Sequence, residues 1–210
     1  MGLGGVILAA GESTRMGRDK ALLPWPPRPA DSQREPTSGT LLSAAIEVLE
    51  DYCDMVIVVA GENEAALRSV AYGCGAFLVR NPAPERGQFS SLQIGLHEVM
   101  SRGRDAAMIT LVDRPPPKAA TLQKLLDAFE KRDRSTWAVI PEFQSKHGHP
   151  IIIGREMIEA FLRSPATANA REIEHANQQR IAYVPVDDSR VAVNINTPED
   201  YAGLGSSFQT

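Results

Sequence analysis

One short stretch concentrates residues able to handle phosphate. Leu8, Ala9, Ala10 and Gly11 close an apolar run with small side chains, and Glu12-Ser13-Thr14-Arg15-Met16-Gly17-Arg18-Asp19-Lys20 follows at once. Small residues let a backbone approach a ligand closely, and amides at the end of a strand can converge on phosphate oxygens. Arg15 offers a planar fork that matches two oxygens, and Lys20 a point charge that can follow a phosphoryl group. Residue type alone leaves a second account open, an ordinary strand-to-helix turn with surface charges. Two better-known phosphate motifs are excluded. No Gly-Lys-[Ser/Thr] closes a P-loop spacing. Gly2, Gly4 and Gly5 come before the apolar run, whereas the dinucleotide fingerprint needs its glycines after it.

Other residues with chemical capacity are scattered. Asp113 ends the apolar run Ala106 to Val112 and precedes Pro115. A carboxylate at the C-terminal edge of a parallel sheet lies where α/β folds bind ligands, although a strand-end Asp also caps turns. His149, in Gly148-His149-Pro150, reads as a structural residue, a hydrogen-bonding group for a substrate, or an acid–base group. Arg171 reads as a phosphate contact or as a solvated helix residue. His97, His147 and His175 have no partner spacing for a metal site. Cys53 and Cys74 form neither Cys-x-x-Cys nor a Cys/His cluster, so no structural zinc is expected and both read as reduced cytosolic thiols.

These residues sit on an alternation of strand-like and helix-like patterns. Strands are expected at Gly5 to Ala10, Asp54 to Ala60, Ala76 to Arg80 and Ala106 to Val112. Between them Leu42-Ala45-Ile46-Leu49, Glu64 to Tyr72 and Leu92-Gly95-Leu96-Val99 read as helices, and Leu122-Leu125-Leu126-Phe129 as a fourth. This rhythm predicts an α/β fold: a mostly parallel, Rossmann-like sheet with helices on both faces. The second half is less regular and reads as mixed. It has strands at Trp137 to Phe143, Pro150 to Ile153, Ile181 to Val186 and Val191 to Ile195, with helices at Arg155 to Arg163 and Ala170 to Ala176. Thr197-Pro198-Glu199-Asp200 is a helix start, with Thr as N-cap, Pro at the first position and acids in the first turn. Pro24 to Gly39 holds five prolines and Trp25 as its only large apolar group. It is expected to be a flexible loop within a single domain spanning 1–210.

Composition narrows the class. The chain is 43% hydrophobic and 23% charged, with a net charge of −4. Those fractions are globular, and the negative balance disfavours nonspecific nucleic-acid binding. No apolar run is long enough for a bilayer. Met1-Gly2-Leu3-Gly4-Gly5 lacks a basic n-region, so a cytoplasmic protein is expected.

Taken together, Leu8-Ala9-Ala10-Gly11-x-Ser13-x-Arg15-Met16-Gly17-x-x-Lys20 resembles the opening signature of the MobA-like nucleotidyltransferases, nearest to the molybdopterin cytidylyltransferase branch. Further stretches resemble that family in the same order, from about residue 6 to 201. They are Gly87 to Leu96, Leu111 to Pro115, Gly148-His149-Pro150, Asn169-Ala170-Arg171, Val184 to Asp188 and Asn194 to Asp200. The resemblance implies a nucleotidyltransferase that moves a nucleotidyl group, CMP favoured, from an NTP to a small phosphorylated acceptor such as molybdopterin, releasing pyrophosphate. It implies nucleotide binding by Leu8, Ala9, Ala10, Gly11, Arg15, Lys20, Gly61 and Ser91, with Arg15, Lys20 and Asp113 catalytic. Mg²⁺ would be held by Asp113 and Asn194, with Asn196 as the fallback. His149 and Arg171 would contact the acceptor. A molybdoenzyme is an expected partner; nucleic acid and membrane are not. The cytidylyl branch usually carries Asp where this chain has Asn194-Ile195-Asn196, and the guanylyl branch also resembles Asn-x-Asn. Two alternatives stand beside this reading: a transferase for a sugar phosphate or other phosphorylated metabolite, and a non-catalytic nucleotide-binding maturation factor.

Overall fold

The structure, a computed structural model, describes residues 2–11, 16–27 and 39–207. Its strands are β1 (Leu3–Leu8), β2 (Met55–Ala60), β3 (Phe77–Arg80), β4 (Ala106–Leu111), β5 (Ala138–Phe143), β6 (Lys146–His147), β7 (Ile151–Gly154) and β8 (Ile181–Pro185). Its helices are α1 (Leu41–Glu50), α2 (Glu64–Gly73), α3 (Gln88–Ser101), α4 (Ala119–Glu130), α5 (Arg155–Arg163), α6 (Ala170–Ala176) and α7 (Pro198–Ser207). The strands form one sheet in the order β3-β2-β1-β4-β7-β5, with β5 also pairing β6 and β8. Strands β3, β2, β1 and β4 run parallel, and so do β5 and β8; β7 is antiparallel to both β4 and β5. The mostly parallel sheet and the mixed C-terminal half therefore stand as the sequence patterns predict.

Alternation along each strand divides the core. Ile7, Val58 and Met108 face one side, where they pack with Leu42, Ile46 and Leu49 of α1, Leu67 of α2 and Leu125 and Phe129 of α4. Val6, Ile57, Val59 and Ile109 face the other, against Leu92, Leu96 and Val99 of α3 and Met157, Ile158 and Phe161 of α5. Both faces of the parallel part of the sheet are thus covered, and its inner strands β1 and β2 carry no polar side chain.

A third, smaller cluster lies beyond the strand ends. Met16, Leu23, Leu41, Ile195 and Leu204 are buried together, with Trp25, Val193 and Tyr201 packed against them. It joins the loop after β1, the start of α1 and the chain leading into α7. The prolyl segment begins and ends here: Trp25 N–H donates to the Gly39 carbonyl at 3.0 Å, and Leu41 N–H to Leu23 at 2.7 Å. Residues 28–38, on which the expectation of a flexible loop mainly falls, lie outside the described residues.

Two sequence expectations change. Val191 to Ile195 is not a strand; Ser189–Ala192 forms a 3₁₀ turn capped by Asp188, and the chain continues without a ladder. Its backbone groups are taken elsewhere: the Val191 carbonyl accepts from His149 N–H, and Ile195 N–H donates to the Asp113 carbonyl at 2.8 Å. Apolar alternation marked burial here, but no neighbouring strand was there to pair. The short β6 was not anticipated either; it closes a hairpin on β5 through Gln144 and Ser145, at φ 48° and 62°, the left-handed pair that tight hairpins favour. The start of α7 is as expected. Thr197 Oγ1 accepts from Asp200 N–H at 3.2 Å, and the Asp200 carboxylate accepts from Asn196 and Thr197 N–H.

Helix α3 lies close on the sheet because Gly95 has no side chain: a Cβ there would stand 2.6 Å from Val6 Cγ1 and 3.1 Å from Val59 Cγ2. Alanine gains about 1 kcal/mol of helix propensity, but overpacking against two β-branched residues costs about 1–3 kcal/mol. Gly95→Ala should therefore lower stability by a net of up to ~2 kcal/mol, read as a lower denaturant midpoint at constant slope. An unchanged or higher midpoint would show that α3 can move away from β1 and β2 freely.

Candidate active site

Strand register brings the chemistry together. Leu8 pairs with Leu111 across β1 and β4, so the Ala9–Lys20 loop and the Asp113 turn leave the sheet side by side. The first loop is tied down by Asn63, which precedes α2. Its amide donates to the Ala9 carbonyl at 2.9 Å and to Asp19 Oδ2 at 2.6 Å, and its own oxygen accepts from Gly61 N–H at 3.0 Å. Asp19 in turn caps a 3₁₀ turn, Lys20–Leu22, by accepting from Ala21 N–H. These bonds fix the backbone from which Lys20 projects. Gly61 belongs to the same knot; a Cβ there would lie 2.8 Å from the Ala10 carbonyl oxygen.

The amides of the loop are not equivalent. Ala9 N–H is spent on the Val59 carbonyl at 2.8 Å, because β1 keeps one more bond to β2 than its strand pairing suggests. A ligand would meet the amides of Ala10 and Gly11, which no acceptor among the described residues takes. The sequence expectation that Ala9 N–H joins a phosphate cradle is corrected accordingly. Arg15 lies outside the described residues.

Lys20 crosses to the second loop. Its Nζ stands 3.5 Å from Asp113 Oδ2 and 3.4 Å from Asn196 Oδ1. The side chains of Lys20 and Asp113 are only 12% and 26% exposed, so the charges meet at a sheltered edge where screening is weak. Asp113 Oδ1 is buried and has no donor among the described residues, an acceptor placed for a cation. The Asn194-Ile195-Asn196 stretch is held over Asp113 by the buried Ile195. It sends its two amides apart: Asn196 toward Lys20, and Asn194 into the neighbouring cleft. Among the described residues, no three of His, Cys, Asp and Glu group around a metal position. Magnesium needs only one or two protein oxygens and keeps water and substrate oxygens for the others, so a carboxylate and an amide fit its demands.

Two confluent clefts open beside this edge. One, of about 520 Å³, is lined by Leu8, Leu111, Gly87, Phe89, Ala168 and Asn169. The other, of about 590 Å³, reaches Asn194, His147, His175 and Tyr183. Arg114, His149, Ile151, Arg171 and Glu174 line both, so the structure brings together the expected acceptor contacts His149 and Arg171. His149 Nδ1 lies 3.3 Å from the Ile109 carbonyl. A carbonyl only accepts, so Nδ1 carries the proton and Nε2 is an acceptor toward the cleft. The ring lines the cleft, yet the packing around it makes charging it costly. Desolvation, with the nearby Arg114 charge, lowers its pKa to about 4 against the weaker upward pull of Ile109. His149 is thus a neutral hydrogen-bonding group at pH 7, held below the ordinary histidine value by its surroundings. Burial raises the Glu174 carboxyl, and Arg171 opposes that rise.

Ser91 sits elsewhere. Asn81, almost wholly buried, donates to both Ser90 Oγ and Ser91 Oγ at 2.9 Å. The pair thereby anchors α3 to the chain after β3. Asn63, Asp19 and Asn81 were missed in the sequence. An Asp just before Lys20 is a recognisable turn cap, but nothing local marks the two asparagines, whose partners are 44 or 54 residues away for Asn63.

The comparisons agree with this fold. A profile described as the MobA-like NTP transferase domain matches residues 5–181. The molybdenum cofactor cytidylyltransferase of Escherichia coli (strain K12) is 23% identical over 201 residues, 93% of this chain and 92% of that protein. A probable molybdenum cofactor guanylyltransferase of Mycobacterium bovis (strain BCG / Pasteur 1173P2) is 32% identical over 211 residues, 99% of this chain and 94% of that protein. The solved structure of Rv0371c from Mycobacterium tuberculosis H37Rv superposes with a TM-score of 0.78 at 26% identity, covering 98% of each chain.

His149 supplies a test independent of turnover. Its folded value lies below the ordinary 6.5, so on acidification the unfolded chain takes up this proton first. The neutral ring contributes its full stability above pH 6.5, and that contribution is lost as pH falls toward 4. Histidine NMR should show one imidazole titrating near 4, and His149→Gln should flatten the loss of stability between those values. An imidazole at this position titrating near 6.5 would show that water reaches the ring.

Proposed function

This chain belongs to the MobA-like NTP transferase family, and from that footing we propose that it transfers CMP from CTP to the phosphate of a molybdopterin-type acceptor. It is a nucleotidyltransferase of the molybdenum cofactor cytidylyl- or guanylyltransferase kind. The observation that carries the fuller reading is the convergence of Lys20 and Asp113 at one sheltered edge, next to the uncommitted Ala10 and Gly11 amides.

In this reading the Ala10 and Gly11 amides receive phosphate oxygens, with Leu8 and Gly61 shaping the space around them. Lys20 and Arg15 neutralise the triphosphate as charge shifts toward the leaving group. Asp113 would hold Mg²⁺ through its donorless oxygen, with Asn194 or Asn196 adding an amide oxygen. When bound, the metal supplies charge neutralisation between two anionic groups. Ser91 acts through the α3 anchor near the nucleotide. His149 and Arg171 orient the acceptor so that a phosphate oxygen bonds to the α-phosphorus. The bond from that phosphorus to the β-phosphate breaks, and pyrophosphate leaves. The acceptor phosphate is already ionised at pH 7, so no general base is needed, and positioning with charge neutralisation supplies the catalysis. The product would pass to a molybdoenzyme. No helix among the described residues is long and apolar enough to cross a membrane.

The choice of CTP rests on Ala10, where the guanylyl branch more often has glycine. Its methyl narrows the space beside the base. A methyl-sized difference discriminates by about 1–3 kcal/mol, so CTP should lead GTP by roughly tenfold to a hundredfold in kcat/KM. Measurement with one shared acceptor and Mg²⁺ decides it, and equal values, or GTP ahead, would remove the donor assignment. Ala10→Gly should shrink the preference.

Asp113→Ala should lower turnover at least about a hundredfold while nucleotide binding persists, since it removes a charge contact used in the transition state rather than the amide cradle. Pyrophosphate release near the parent rate would dismiss Asp113 from the site.

A further inference from the structure

The residue after Asp113 is an arginine, and the family resemblance gives it no role. Arg114 Nη1 donates to the carbonyls of Val191 and Val193, each at 3.3 Å. Those two carbonyls bracket the chain that leads to Asn194, so one edge of the guanidinium is committed to backbone. The same guanidinium lines both confluent clefts, together with Arg171. An arginine has five N–H donors in a rigid plane, and the carbonyl pair on Nη1 does not use them all: the buried Nε has no acceptor among the described residues.

We infer that Arg114 is an acceptor-specificity residue: it and Arg171 form a two-guanidinium seat for a phosphate-type oxyanion in the cleft beside His149. Two guanidinium groups facing one cleft repel each other until an anion lies between them, so the arrangement selects a dianionic group over a neutral one. Glu174, which lines the same clefts, sets a negative boundary to that seat. The backbone clamp sets the position of the seat. Because Arg114 holds Val191 and Val193, the seat lies at a set distance from Asn194 and, through the adjacent residue, from Asp113. A phosphate bound there would therefore be held near the point where the nucleotide's phosphates meet Asp113. The identity of the group that carries the anion rests on the nucleotidyltransferase reading; the seat itself does not.

The test uses the full chain and phenyl phosphate as probe, followed by NMR of the His149 imidazole, with phenol as the uncharged control. The parent protein should bind phenyl phosphate saturably and phenol not at all. Arg114→Gln and Arg171→Gln should each weaken phenyl phosphate binding by about tenfold to a hundredfold, the usual scale for a charge-assisted hydrogen bond. Arg114→Lys should recover part of the loss, because it restores charge without the fork. If Arg114→Gln unfolds, Arg114→Lys and Arg171→Gln still decide the matter. Parent-like phenyl phosphate affinity in both variants, or no binding to the parent protein, would overturn the seat. A seat that binds phenyl phosphate in a protein releasing no pyrophosphate from any NTP would sustain this inference while defeating the proposed reaction.

Discussion

The register of β1 against β4 is the constraint on which the rest of the molecule depends. Leu8 opposite Leu111 makes two loops leave the sheet at the same level. One carries small residues and a lysine, the other a carboxylate, and only this pairing brings Lys20 within 3.5 Å of a residue 93 positions later. Strand pairing of this kind is maintained by backbone bonds along the whole ladder and by apolar burial on both faces, so it resists slippage. The fine placement is left to weaker and more local bonds: Asn63 to Ala9 and Asp19, and Ile195 to Asp113.

Charge is distributed along the edge with a division of labour. Lys20, Asp113 and Asn196 meet on one side, while Arg114, Arg171, Glu174 and neutral His149 line the clefts on the other. Arg114 stands at the boundary. Burial, above all, lowers the affinity of its guanidinium for a proton; Asp113 counters this and Arg171 adds to it. An arginine keeps its charge under such burial because its ordinary pKa is so high. A lysine at the same place loses protons far more readily, which makes arginine the better cation for a site that must stay positive while sheltered from water.

The C-terminal segment ties these halves together. Ile195 is buried with Met16, Leu23, Leu41 and Leu204, so a small cluster beyond the strand ends holds the Asn194–Asn196 segment beside Asp113. Helix α7 closes that cluster, and its capping box uses the Asn196 and Thr197 amides directly. The hydroxyl of Tyr201, on the same helix, donates to the Pro24 carbonyl at the entrance to the prolyl segment. Packing there and amide placement beside Asp113 are one structural problem, solved by the same few side chains.

From sequence alone, much of the architecture was legible. Strand runs, helical spacings and the Thr197-Pro198 cap are local patterns, because side-chain periodicity and caps are read within a few residues. The loop from Leu8 to Lys20 and the strand-end Asp113 also announced themselves by residue type. Tertiary structure alone decided which amides of that loop remain available, since Ala9 N–H goes to a strand about 50 residues away. It decided that Val191 to Ile195 is not a strand, because alternation records burial but not the presence of a partner ladder. It also separated Asn194 from Asn196, whose side chains are chemically identical and reach different neighbours only because Ile195 between them is buried. Finally, it lowered the pKa of His149 below the ordinary histidine value, because a histidine's protonation is set by the atoms packed around it and not by its neighbours in the chain.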